Sequence, residues 1–131
     1  MPNRFDSSSS PIRVTCEGSC SIDDCADALF QIFSSDGVPD RIVDFRSVEK
    51  FNFRSSEVLL KAASAALESY PNHYRCGIIA NRPLSIGIAR MWQNLNENRD
   101  VEIGVFQNPA EAERWVRRED DSEDLDDKLD A

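Results

Sequence analysis

Long apolar runs are missing from this 131-residue sequence. No stretch approaches the roughly 18 apolar residues of a membrane-crossing helix, which excludes a span of that kind. Residues 1–10 are polar, without the apolar centre of a secretory signal. The expected location is therefore the cytoplasm, where thiols stay reduced. Cysteine occurs only at Cys16, Cys20, Cys25 and Cys76. The spacing C-x3-C-x4-C with one distant partner matches no recognised zinc pattern. All four read as small buried apolar side chains, with Cys25 on an amphipathic helix. Histidine occurs once, at His73, in a predicted loop after Pro71-Asn72 where solvation is its ordinary fate. A strand-end carboxylate such as Asp44 thus has no His, Cys or Lys placed beside it by sequence. No enzyme, metal or cofactor is expected.

Basic charge is also scarce. There are 15 Lys and Arg against 24 Asp and Glu, a net charge of −9. From Glu119 to Ala131 eight acidic residues face a single Lys128, so this segment alone carries −7. The preceding 118 residues (16 acids, 14 bases) carry −2. Nucleic-acid binding needs a basic footprint to displace counterions from phosphates, and none is present, so no nucleic-acid partner is expected. The acid-rich tail 119–131 cannot bury enough apolar surface to order itself and reads as a disordered, solvating extension.

What is present is an alternation of strands and helices. Asn3 to Asp6 is a candidate short partner strand in an N-terminal segment 1–11. Ile12 to Cys16 alternates apolar and polar residues as a half-covered strand does. Ser21 and Asp24 form a capping-box pair that starts a first helix, with Ile22, Ala26, Leu29, Phe30 and Phe33 at helical spacing and a stop at Asp36-Gly37. Arg41 to Phe45 is a strand, and Ser47 to Phe53 a loop or short irregular strand. Ser55 or Ser56 caps a second helix whose inner stripe includes Val58, Leu59 and Ala62. Cys76 to Ala80 is an apolar strand covered on both faces. After Asn81-Arg82-Pro83, a third helix carries Leu84, Ile88, Met91, Trp92 and Leu95 on one stripe. Gly87 interrupts it, which close helix–sheet approach would explain. Val101 to Phe106 is the last strand. Asn108-Pro109 starts a last helix with Ala112, Trp115 and Val116 inward. Such alternation predicts an α/β domain over 12–118 with a mostly parallel sheet, because each parallel crossover needs a helix to return the chain.

Three stretches resemble the bacterial SpoIIAA-like proteins, relatives of the STAS domain of anti-sigma-factor antagonists. They are Ile42-Val43-Asp44-Phe45-Arg46-Ser47-Val48; Pro83-Leu84-Ser85-Ile86-Gly87-Ile88-Ala89-Arg90-Met91; and Val105-Phe106 followed by Ala110-Glu111-Ala112-Glu113-Arg114-Trp115-Val116. With the capped first helix, the resemblance spans residues 10 to 118. It implies a STAS-like, four- to five-stranded mixed sheet flanked by about four helices. It also implies a non-enzymatic regulatory or protein-interaction module, with no common metal, nucleotide fingerprint or catalytic triad. In the antagonists, phosphorylation of a serine at a helix N-terminus switches docking off. Here that position falls on Phe53 or Arg54 without a gap, and on Ser55 or Ser56 with one or two inserted residues.

Two candidate sites follow. Ser55 and Ser56 are candidates for phosphorylation, because a phosphate at a helix start meets free backbone N–H groups; the alternative role is a plain N-cap. Asp44, Asn81, Arg82, Ser85 and Arg90 are candidates for ligand or partner contact, lying beyond the carboxyl ends of predicted parallel strands. Arg82 would hold an anion or carboxylate, while Ser85 serves equally as a cap and Arg90 as a partner of Glu97. The leading expectation is a module with an unidentified protein partner. The alternative is a carrier or sensor of an anionic or lipid-like small molecule beside Asn81–Arg90. A homodimer stays open.

Overall fold

Five strands and three helices alternate along the chain in a computed structural model that describes residues 3–6, 11–30, 40–54, 56–58, 73–96 and 101–118. The strands are β1 (Asn3–Asp6), β2 (Ile12–Cys20), β3 (Arg41–Phe51), β4 (Tyr74–Ile79) and β5 (Val101–Phe106). The helices are α1 (Ile22–Phe30), α2 (Pro83–Leu95) and α3 (Pro109–Val116). Residues 56–58 are also helical. The sheet order is β1-β2-β3-β4-β5. β1 runs antiparallel to β2, and every other neighbouring pair is parallel. The predicted mixed, mostly parallel α/β sheet is what forms. No helix among the described residues is long and apolar enough to cross a membrane.

Local chemistry sets the helix starts. At α1 the Ser21 hydroxyl accepts from the Asp24 N–H at 3.1 Å, and the Asp24 carboxylate accepts from the Ser21 N–H at 3.0 Å. This is the reciprocal capping box read from the sequence. At α3 the Asn108 side chain accepts from the Ala110 N–H at 2.8 Å, and Pro109 occupies the first helical turn. At the start of the second predicted helix, Glu57 reaches back to accept from the Arg54 N–H at 2.6 Å, while Ser56 is exposed and already helical. Ser55, the rest of that helix, the predicted end of the first helix, Phe33, Glu97 and the acidic tail lie outside the described residues.

The core has two unequal halves. One face of the sheet, with α1 and α2 on it, buries Val14, Val43, Phe45, Ile78, Leu29 and Trp92 in a large apolar cluster. The other face buries Ile42 and Ile79 against Ala112 and Val116 of α3. β4 is therefore covered on both sides, as its apolar run predicts. A fully buried Arg41 opens β3 and donates to the Ala28 carbonyl at 3.2 Å. Tyr74 donates to the Leu29 carbonyl at 3.0 Å. Both address neighbouring carbonyls of α1 and tie β3 and β4 to that helix.

Of the two readings open for 47–53 the irregular strand forms: β3 continues past Phe45 to Phe51, paired with β2 through two register shifts. Two expectations need correction. Leu84 is not on the buried stripe of α2: it is 63% exposed, and the inward side chains are Ser85, Ile88, Ala89 and Trp92. Gly87 is not pressed against the sheet. A Cβ built there meets nothing within 4 Å.

Candidate binding groove

β3 and β4 both deliver the chain to the carboxyl edge of the sheet, where parallel folds commonly bind ligands. Beyond that edge the first half of α2 forms one wall of an apolar groove of about 290 Å³. Pro83, Leu84, Gly87, Ile88 and Met91 come from α2. Phe53 and Val58, which follow β3, face them. Gly87 matters because a side chain there would stand in the opening. The exposed Leu84 and the bare Gly87 together leave an apolar surface that the described residues do not cover.

The predicted contact residues do not converge on a single ligand position. Asp44 lies at the last pair of the β3–β4 ladder, opposite Ile79. Its carboxylate is clamped by Arg46, whose Nε lies 3.0 Å from Oδ1 and whose Nη2 lies 2.8 Å from Oδ2. The Arg46 backbone N–H adds a third donor at 2.9 Å. Arg82 reaches back over the same strand: its Nη2 donates to the Arg46 carbonyl at 3.2 Å and to the Val48 carbonyl. That guanidinium works as a strap between the start of α2 and β3 rather than as an open anion clamp. Ser85 is buried, and its hydroxyl accepts from the Arg82 N–H and donates to the Arg82 carbonyl at 3.0 Å. Asn81 and Arg90 are exposed. What the fold assembles is a connected line, Asp44 to Arg46 to Arg82 to Ser85. Arg82 and Ser85 also border a small recess of about 50 Å³ that shares Leu84 with the groove.

His73 is not simply solvated: it lies 3.0 Å from Glu102 at the opposite end of β4. Trp115 is only partly buried, against Phe106 and beneath the Arg75 guanidinium at 4.7 Å. The four cysteines are buried and free, as expected. Among the described residues no group of His, Cys, Asp and Glu is arranged to hold a metal ion.

The residues chosen from sequence lie at the carboxyl edge that the groove borders, but Phe53, Val58 and Met91 were not among them. The polar candidates were chosen for chemistry, whereas the opening is apolar. One signal was available: Pro83-Leu84 followed by Gly87 puts a large apolar residue and a missing side chain one helical turn apart.

No protein-family model matches this chain. No curated protein matches it either. Among solved structures it is similar to an uncharacterised protein of the DUF3478 family, with a SpoIIAA-like fold, from Shewanella loihica PV-4. The two share 15% identity over 87% of this chain and 91% of the other, with a TM-score of 0.50. The likeness establishes a SpoIIAA-like α/β fold.

Proposed function

We propose that this SpoIIAA-like scaffold is a non-enzymatic protein-interaction module that receives an apolar, acid-bearing segment of a partner protein in the groove beside α2. The observation that carries the reading is Leu84, a large apolar side chain 63% exposed on the wall of an open apolar groove. Exposed apolar surface that is grouped rather than scattered marks interaction sites. Charge supplies the second half of the argument. Arg54, Arg82 and Arg90 are all exposed and are chain neighbours of groove residues Phe53, Pro83 and Met91, against one exposed acid, Glu57, beside Val58, which leaves the rim net positive. A rim of that sign favours acidic flanks on the occupant and speeds encounter with them. Phosphorylation of Ser56, two residues before Val58, would add about −2 charge beside this rim and oppose such an occupant.

A second reading, a carrier for a small apolar carboxylate, draws on the groove volume of about 290 Å³. That lies near the lower bound of small-molecule pockets, roughly 300 Å³. One titration separates the two. Backbone amide NMR signals of the full chain are followed against a synthetic leucine–glutamate amphipathic peptide and, separately, against laurate. The interaction reading expects the peptide to shift Leu84, Gly87, Ile88 and Met91, and Gly87→Trp to remove the shifts. Laurate alone moving those signals would replace it with the carrier reading. Shifts confined to other surfaces with both probes would refute the groove itself.

A further inference from the structure

At the junction of β2 and α1 three thiols meet inside the protein. Cys20 is the last residue of β2, and Cys25 lies in the first full turn of α1, with Ser21 alone between the two elements. Their sulfurs are 3.4 Å apart. Cys16, on the same strand, is also buried and completes the cluster. We propose that Cys20 and Cys25 are an oxidant-responsive dithiol, closed to an intrachain disulfide by peroxide-class oxidants. The inference is independent of the groove.

Geometry makes the closure short. A disulfide needs its sulfurs at about 2.05 Å, so from 3.4 Å the pair must approach by little more than an ångström. The flanking backbone is already fixed, because the Ser21–Asp24 capping box holds the turn and the Asn52 N–H binds the Cys20 carbonyl at 2.8 Å. The electronic asymmetry suits an attacking and a resolving thiol. Hydrogen bonds from Cys16 and then Cys25 hold the Cys20 thiol below its ordinary range, while the same contacts push Cys16 and Cys25 up. Thiolate character is what makes a sulfur nucleophilic.

The chemistry balances with hydrogen peroxide as oxidant. The Cys20 thiolate attacks one peroxide oxygen; the O–O bond breaks, and the departing hydroxide leaves as water after taking up a proton. Cys20 is then a sulfenic acid, oxidised by two electrons, and the peroxide is reduced. Cys25 sulfur next attacks Cys20 sulfur. The S–S bond forms, the S–O bond breaks, and the Cys25 proton leaves with the hydroxide as a second water. Two thiols and one peroxide give one disulfide and two waters.

Cys76 provides an internal reference. It is buried on β4, and that burial chiefly pushes its thiol up to about 12. The reduced full chain is exposed to hydrogen peroxide for increasing times, and remaining thiols are alkylated with a light reagent. Disulfides are then reduced, the freed thiols are labelled with a heavy reagent, and each cysteine is read by mass spectrometry. Heavy label should appear on Cys20 and Cys25 in equal amount, within monomeric chains, about tenfold faster than Cys76 loses its light label. With Cys16→Ser and Cys25→Ser combined, which removes both thiols in contact with Cys20, Cys20 should stop at the sulfenic acid and be trapped by dimedone. Wild-type labelling decides the matter alone if that variant does not fold. Heavy label pairing Cys16 with Cys20, or none at peroxide levels that already oxidise Cys76, overturns the proposal.

Discussion

Gly77 of β4 lies directly beneath Val116 of α3: a Cβ built on the glycine would come within 2.9 Å of the valine Cγ2. Val116 is fully buried and β-branched, so it cannot swing aside. Gly87 of α2 is the opposite case, with open space where its Cβ would be. The same substitution should therefore act with opposite sign at the two positions. Gly77→Ala should lower stability by about 1–3 kcal/mol through overpacking. Gly87→Ala should raise it by about 0.5–1 kcal/mol through helix propensity. Urea unfolding of both variants checks the pair, and equal signs would contradict the packing described.

Neighbouring positions of α2 should differ just as sharply. Leu84→Ser should leave stability within about 0.5 kcal/mol, since the side chain has little contact to lose. Ile88→Ala should cost about 2–5 kcal/mol because it empties a buried site under the same groove. Thermal and denaturant unfolding distinguish the two faces.

Arg82 should matter for the edge of the sheet as well as for the charge of the rim. Arg82→Ala removes the donor shared by the Arg46 and Val48 carbonyls. The loss should be about 1 kcal/mol, because water can partly replace an exposed hydrogen bond. Amide exchange should rise at the end of β3 and the start of α2. No change at either place would show that the strap contributes nothing.

Acid should weaken the His73–Glu102–Arg75 cluster. Burial alone would raise the Glu102 carboxyl, but hydrogen bonds from His73 and Arg75 outweigh it and hold the group below its ordinary 4.5. A carboxyl lowered in the folded state contributes stability above its unfolded pKa and loses it as pH falls through the folded one. Glu102 is 45% exposed, so solvent screening keeps the contribution to a few tenths of a kcal/mol. The stability difference between wild type and Glu102→Gln should be present near about pH 6 and shrink toward about pH 3. A difference constant across that range would refute the assignment.

Strand–helix alternation made the fold class legible, because parallel crossovers leave an unmistakable order of periodicities. Ser21 with Asp24, and Asn108 with Pro109, were legible for a more local reason: each motif acts within one turn of its own helix. The continuation of β3 was only half legible. Two register shifts against β2, between Asp44 and Ser47 and between Val48 and Lys50, break the alternation, so a paired strand and a loop read alike. The exposure of Leu84 was hidden too, since helical spacing gives the stripe but not how far the neighbouring wall extends. The thiol cluster depends on a bulged strand and a helix turn meeting in space. Linear spacing, which excluded a zinc pattern, carries no trace of that distance.

The face under α3 holds only a small apolar patch, and much of the attachment is ionic or polar: Arg13 to Glu113, Arg118 to Asp40, and Arg75 to the Trp115 carbonyl. Such fastenings loosen with ionic strength, whereas the wax-like packing on the reverse side does not. The molecule is accordingly built like a box with a riveted base and a magnetic lid. Raising salt should therefore weaken the ties of α3, and with them the cover over Ile42 and Ile79, before it affects the apolar layer opposite.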